Sequence, residues 1–529
     1  MTQLAPPHGG ELVSCQLDAA AAAAARRAAA HLPCCTLDPR RLAELELIAS
    51  GACSPLRGFL GRADHEAVQQ SARLTDGTPW PLPLSLPLDE ATAAAAADAP
   101  GLALCDPEGA LLALLELADL WRDAAGQWWA GGSLQVIEPP HRYAFNHLRF
   151  TPAELRQRLA RQGWRRIAAV LPEAIVHCAG REAIADALRR CEANLLLLPL
   201  AGEADPNDRH HFTRVRCHEH LLADFPEATS ALCLLPLGGL GNGPRALLWQ
   251  AIVARNHGAT HLLHPSPAEP ELLGRPLAAW LAEIGVEGVP LRAMGWSATH
   301  SRFVPLAEQP DAATLDDAEL HHRLEHDLPL PDWFTLPAIE AELRAAHPPR
   351  HRQGFTIFLT GLSGAGKSTI AKALWFKLRA LGGRDVTLLD GDIVRRHLSS
   401  ELGFSRAHRD LNIQRIAFVA SEITRHGGIA ICAPIAPYTA SRNQARRMIS
   451  AVGGFIEVHV DTPLAVCEAR DRKGLYARAR AGQIANFTGI SDPYEPPPQP
   501  EVRIDTSRTS ANEAANQILL KLESLGYLR

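Results

Sequence analysis

Lys367 and Ser368 close the stretch Gly361-Leu362-Ser363-Gly364-Ala365-Gly366-Lys367-Ser368, which meets the pattern G-x-x-x-x-G-K-[ST] at every fixed position. Each residue type has a task there. The glycines keep side chains away, so that backbone N–H groups can face a phosphate. A helix beginning at the end of the loop adds partial positive charge. Lys367 would reach the β- and γ-phosphates, and the Ser368 hydroxyl would bind Mg²⁺. The stretch therefore predicts binding of a nucleoside triphosphate with its magnesium. It does not name the group that receives the phosphate.

A second set of charged residues follows. Asp390-Gly391-Asp392 ends the apolar run Val386-Thr387-Leu388-Leu389, with Arg395 three residues on. Carboxylates at the C-terminal end of a strand point into the crevice where doubly wound sheets bind ligands. One can support hydrated Mg²⁺ and the other can accept the proton of an attacking hydroxyl. Asp392 is assigned as base and Asp390 as metal support, although the reverse order serves equally. Arg409 and Asn412 lie three apart and so share one helix face, suited to an anionic ligand. The segment Arg470-Asp471-Arg472-Lys473-Gly474-Leu475-Tyr476, with Ala479-Arg480-Ala481-Gly482, is basic and punctuated by glycine. It suits a mobile lid that brings positive charge onto the transferred phosphoryl and excludes water.

These groups need elements to hold them. Thr356 to Thr360 reads as a buried strand before the loop, and Leu374, Leu378 and Leu381 mark one side of the helix after it. Further buried strands are expected at Gly428–Ile435 and Phe455–Val460. Earlier in the chain, helices are predicted near 18–31, 153–163 and 181–191, and strands at 167–171, 194–199, 231–237 and 260–263. That alternation implies a separate α/β layer. Residues 51–90 read as turn-rich β structure anchored by Trp80. A charged helical pattern covers Asp316 to Leu324, whose histidines read as a solvated face. His347-Pro348-Pro349-Arg350 ends it and sets a boundary near residue 350. The expected division is 1–150, 151–345, a linker at 346–352, and 353–529.

Bulk properties exclude several classes. Apolar residues make up 47% and charged residues 21% of the 529, a globular balance, and a net charge of −5 argues against nucleic acid as main partner. No apolar stretch is long enough to span a bilayer, and the N-terminus lacks a signal-peptide pattern. The eleven cysteines include no C-x-x-C, and adjacent Cys34 and Cys35 suit neither a zinc knuckle nor an easy disulfide. They read as mostly buried, reduced thiols of a cytoplasmic protein.

Residues from about 30 to 345 resemble ATP sulfurylase. The likeness rests on Ser54 to Leu60, Arg73 to Pro81, Ala193 to Leu200, His211 to Cys217, Leu234 to Leu237, Gly243-Pro244-Arg245 and Pro331-Asp332-Trp333-Phe334. It implies a mixed β, PUA-like region followed by a Rossmann-like nucleotidyltransferase α/β domain. The catalytic motifs depart from the family. Where it has Q-x-R-N, this chain has Val170-Leu171-Pro172-Glu173-Ala174; of its H-x-x-H, only His177 remains. Its M-R-x-A-G-P is replaced by Gly239 to Pro244, and its G-R-D-H-A-G by His264 to Glu269. Glu173 in place of arginine would repel sulfate. The expectation is a silent sulfurylase-like domain in which His177 is vestigial, shaping the oligomer or modulating its neighbour.

The region from about 353 to 527 closely resembles adenylylsulfate (APS) kinase. The marks are GLSGAGKS, LLDGD with Arg395, GFS before Arg409 and Asn412, API-x-PY, RD-x-KGLY, and NFTGI followed by Tyr494-Glu495. The resemblance implies a doubly wound P-loop kinase. It would transfer the γ-phosphoryl of MgATP to the 3′-hydroxyl of adenosine 5′-phosphosulfate (APS), giving PAPS and ADP. It places Gly361 to Thr369 and Arg470 on ATP. Arg395, Arg409, Asn412, Ile435 and Lys473 fall on APS, with Phe404 and Phe487 against its adenine. Many members carry serine before the Pro-Tyr, a residue labelled as a phospho-intermediate; Ala436 stands there and implies direct transfer. A homo-oligomer is expected. The competing readings are a bifunctional enzyme making PAPS from sulfate and ATP, and a nucleotide-binding regulator without turnover.

Overall fold

The computed structural model describes residues 4–202, 210–239, 241, 243–265, 270–403, 405–484 and 486–529, with the Asp392 side chain outside the description. Two compact units form. One holds 1–317 with 330–346, and the other 318–329 with 347–529. Among the described residues no helix is long and apolar enough to cross a membrane.

The first unit opens with a six-stranded sheet. Its order is Cys34–Thr36, Gly101–Cys105, Leu111–Arg122, Trp128–Val136 and Gly58–Phe59, with Leu86–Leu88 also on Trp128–Val136. All pairs are antiparallel except the first. Trp80 is fully buried, and its indole N–H donates to the Leu82 carbonyl at 2.7 Å. The span 51–90 is less β-rich than expected, because a helix, Arg62–Ser71, forms between its two turn-rich stretches. Its inward face, His65 and Val68, is buried, while Arg62 pairs with Glu66 one turn on at the surface. Two positions three apart are too short a pattern to announce a helix among so many turn residues.

The α/β layer of this unit is a parallel five-stranded sheet, ordered Glu287–Leu291, His261–Pro265, Ile167–Val170, Asn194–Leu197, Ser230–Leu232. Its strands are short and apolar and its crossovers helical, as parallel pairing requires. The eleven cysteines are free thiols, nine of them buried.

The second unit carries another parallel sheet, ordered Val386–Asp390, Ile429–Ala433, Phe355–Thr360, Gly454–Val460, Val502–Ile504. Helices cover both faces. Phe355, Ile357 and Leu359 of the central strand join the core that includes Ile370, Leu374 and Leu378, whereas Phe358 points to the opposite core with Ile413 and Ile416. The alternation is the two-residue period of a strand buried on both sides. Leu374 and Leu378 face the sheet as expected. Leu381 does not: in the last turn, before Gly382 ends the helix, it is 63% exposed.

Candidate active site

The phosphate loop lies between the central strand Phe355–Thr360 and the helix Lys367–Leu381, at the C-terminal edge of the parallel sheet. Gly364 and Gly366 adopt φ of +75° and +104°, which glycine alone takes without strain. Gly361 is needed for a second reason: a Cβ there would stand 2.5 Å from the Val460 carbonyl oxygen.

The loop is tied from behind by its carbonyls. Thr462 Oγ1 and Thr506 Oγ1 donate to the Ala365 carbonyl at 3.1 and 2.8 Å. Arg470 donates to Thr506 Oγ1 at 2.7 Å and to the Thr506 carbonyl at 2.9 Å. The Tyr476 hydroxyl donates to the Ser363 carbonyl at 2.9 Å. With these acceptors engaged on one side, the loop is stiffened in the form that presents N–H groups on the other. Arg470, expected on ATP, is thus also a brace. Sequence reasoning missed Thr462 and Thr506. A signal was present: the dipeptide Asp-Thr follows both Val460 and Ile504, the ends of the last two strands.

Lys367 is buried, and its Nζ donates to the Gly361 and Leu362 carbonyls at 2.9 and 2.8 Å. Burial holds its ammonium down to about 8; the Asp390 carboxylate opposes that shift and Lys473 adds to it. Lys473 is itself exposed. Ser368 and Thr369 are exposed at the helix start. Asp390 ends its strand in register with Ala433 of the neighbouring one. The Asp392 side chain, assigned as base, and Phe404, assigned to adenine, lie outside the described residues.

Ile435 is half-buried and its carbonyl is engaged. Its carbonyl accepts from the Gly361 N–H at 3.3 Å and from Thr360 Oγ1 at 2.7 Å. Ala436 holds a left-handed φ of +46°. Arg442, itself 2% exposed, donates to the Ala436 carbonyl at 2.8 Å and pairs with Glu457 at 2.9 Å. Arg409 and Asn412 share the helix Arg406–Arg425 as the spacing predicts. Arg409 donates to Thr488 Oγ1 at 2.8 Å, to Asp492 Oδ2 at 2.7 Å and to the Asn486 carbonyl. Asn412 is buried, and its Oδ1 has no hydrogen-bond partner among the described residues. Arg395 donates to the Leu402 and Gly403 carbonyls at 3.0 and 3.3 Å. Phe487 meets Tyr476 edge-on, 5.0 Å between ring centroids.

The first unit's predicted remnant, His177, precedes the helix Cys178–Cys191. Its Nδ1 lies 3.0 Å from Thr335 Oγ1 and its ring packs 4.3 Å from that of Phe334. Burial pushes its pKa down to about 4, so it is neutral near pH 7. Arg245 donates to the carbonyls of Val68, Pro81 and Gln69 at 2.8 to 2.9 Å. Leu240, Asn242 and Ser266 to Glu269, among the altered motifs, lie outside the described residues.

Comparison with known proteins finds three family matches along the chain. Family descriptions match as follows: PUA-like domain over residues 5–137, ATP-sulfurylase over 146–346, and adenylylsulphate kinase over 353–505. Two proteins called sulfate adenylyltransferase, from Emericella nidulans and Mycosarcoma maydis, are each 40% identical over 98% of this chain and 99% of their own. The chain belongs to the ATP-sulfurylase–adenylylsulphate kinase family. A solved structure described as "Hexameric APS kinase from Thiobacillus denitrificans" is 43% identical over the whole of both chains, with a TM-score of 0.88. The protein is thus an enzyme with an adenylylsulphate kinase domain behind PUA-like and ATP-sulfurylase domains. The kinase domain carries the complete phosphate loop; the altered motifs all fall in the sulfurylase domain.

Proposed function

We propose that the chain transfers the γ-phosphoryl of ATP to the 3′-hydroxyl of APS, giving PAPS and ADP, and that its sulfurylase domain is silent. The observation that carries the first part is the braced phosphate loop with Lys367 at its centre, set among the kinase family's acceptor motifs. Gly361 to Thr369 and Arg470 would take ATP. Arg395, Phe404, Arg409, Asn412, Ile435, Lys473 and Phe487 would take APS. Magnesium fits the oxygens on hand: the exposed Ser368 hydroxyl and the Asp390 carboxylate are the hard donors it prefers. Ser368 and Asp390 would hold magnesium there, and the ion would supply neutralisation of the phosphate charge.

This chain's own groups would do the rest. Loop N–H groups and Lys367 hold the phosphates. Asp392 takes the proton of the 3′-hydroxyl, and that oxygen attacks the γ-phosphorus in line as ADP leaves. Ala436 has no hydroxyl, so no phosphoseryl step occurs at that position. The basic segment near Arg470 to Arg480 closes over the site and excludes water.

For the silent domain, the supporting observation is Arg245. It is engaged by three backbone carbonyls, at Val68, Pro81 and Gln69, none of which belongs to the altered motifs. The neutral His177, engaged with Thr335, supplies no positive charge either. The alternative, a bifunctional enzyme making PAPS from sulfate and ATP, is favoured by the names of the whole-length relatives. We divide the chain at 1–150, 151–345, 346–352 and 353–529, and propose a homo-oligomer, as the hexameric relative suggests. The test is made on the full chain. ADP release that requires APS supports the kinase; sulfate-dependent pyrophosphate release would remove the silent-domain claim.

A further inference from the structure

Residues 486–495 run along the acceptor side as a strap. At one end, Phe487 lies against Tyr476, the residue whose hydroxyl braces the phosphate loop. At the other, the Tyr494 hydroxyl lies 3.0 Å from Thr360 Oγ1, just before Gly361, and Glu495 accepts from the Thr439 N–H at 2.7 Å. The loop inside the strap is compact. The Phe487 carbonyl accepts from the N–H groups of Ile490, Ser491 and Asp492, and the Phe487 N–H donates to Ser491 Oγ.

Asp492, together with the Arg409 bonds to Thr488 and Asn486, fixes this loop to the rest of the domain. Its Oδ2 accepts from Arg409 and from the Tyr438 hydroxyl, each at 2.7 Å. Arg409 comes from the helix Arg406–Arg425, and Tyr438 from the N-cap of the helix Thr439–Ser450. One carboxylate oxygen therefore joins three segments that are distant in sequence. The pair is largely buried, with side-chain exposures of 11% for Arg409 and 19% for Asp492, so solvent screens it little.

We propose that Asp492 is a positioning residue for the acceptor nucleotide, setting the aromatic of the 486–492 loop and the Arg409 fork in one arrangement. The inference rests on the kinase reading above. Asp492 touches no reacting atom in this scheme. It acts through Phe487 and Arg409, which would hold the adenine and the phosphosulfate. Its influence should fall on acceptor binding and spare the donor, because no described bond links Asp492 to the phosphate loop.

The test is steady-state kinetics of the full chain with ATP and APS varied separately. Asp492→Ala should raise the KM for APS about ten-fold or more, the effect of losing hydrogen bonds to a charged group. The KM for ATP should stay within about two-fold and kcat within about three-fold. Asp492→Asn keeps the shape and one acceptor and should fall between. Tyr438→Phe removes one of the two bonds and keeps the ring under Arg406, 4.6 Å away; its KM for APS should rise about two- to five-fold. It also keeps the test open should Asp492→Ala fail to fold. An unchanged KM for APS, or an equal rise in both KM values, overturns the positioning role while leaving the kinase standing. A wild-type chain with no APS-dependent ADP release removes both readings at once.

Discussion

Lys367 donates to the Gly361 and Leu362 carbonyls of its own loop, and burial keeps its pKa near 8 in place of 10.5. The unfolded chain therefore holds more protons than the folded one between those values, and stability rises with pH across that window. Ligand binding works in the other direction. A triphosphate favours the charged amine and raises its pKa, so ATP binding near pH 8.5 should take up a proton. Calorimetry in buffers of differing ionisation enthalpy should register that uptake in the wild type and lose it in Lys367→Arg, whose guanidinium does not titrate. Lys367→Ala should cost about 3 kcal/mol or more of transition-state stabilisation, read as a drop in kcat/KM for ADP formation. The lysine was legible because its motif is contiguous. Asp492 was not, because its partners Tyr438 and Arg409 lie 54 and 83 residues away. Arg409 itself was legible as a basic residue on a helix face, but its bonds to the 486–492 loop were not.

At the scale of elements, the loop strand, the phosphate loop and its helix are positioned by what lies behind them. Arg442 pairs with Glu457, Arg446 joins Glu457 at 3.1 Å and Glu501 at 2.7 Å, and Arg442 also bonds the Ala436 carbonyl. Glu457 sits on the strand Gly454–Val460 beside the central one. The network thus fastens the left-handed Ala436 turn to the sheet. Removing one member leaves a buried charge without its partner, which costs about 3–5 kcal/mol. Glu457→Ala should therefore lower the midpoint of the second unit's unfolding transition far more than a surface charge deletion such as Glu468→Ala. A difference below about 1 kcal/mol between the two would mean that the network is not holding the turn. Eight of the ten parallel strands were readable as apolar runs, whereas the edge strands Glu287–Leu291 and Val502–Ile504, short and partly exposed, were not. The helix Arg62–Ser71 was not, since its tertiary environment rather than its own pattern selects it. Arg442 and Glu457 also escaped notice: a charge in a sequence carries no mark that it will be buried, and its counter-ion is on another element.

For the whole molecule the question is whether one active site or two is at work. The sulfurylase domain keeps its parallel sheet, and Arg245 bonds carbonyls at Val68, Gln69 and Pro81 in the PUA-like region. That arginine is a fastener between the two parts of the first unit. Arg245→Ala should destabilise this unit by about 2–4 kcal/mol, through lost charged hydrogen bonds and stranded carbonyls. It should leave the kcat for APS-dependent ADP formation unchanged. His177→Ala should likewise leave the kinase untouched. The decisive comparison is made on one preparation of the full chain given ATP with APS, and ATP with sulfate. A silent first domain yields ADP in the first mixture and no pyrophosphate above the uncatalysed rate in the second. Three motifs would have to regain charge for the second reaction. Glu173→Arg alone should therefore not restore it, since Arg245 remains engaged by carbonyls and His177, with its pKa near 4, stays neutral at the pH of the assay. Pyrophosphate release by the unmodified chain would instead require oxyanion ligands outside the familiar motifs, and the bifunctional reading would then replace the silent one.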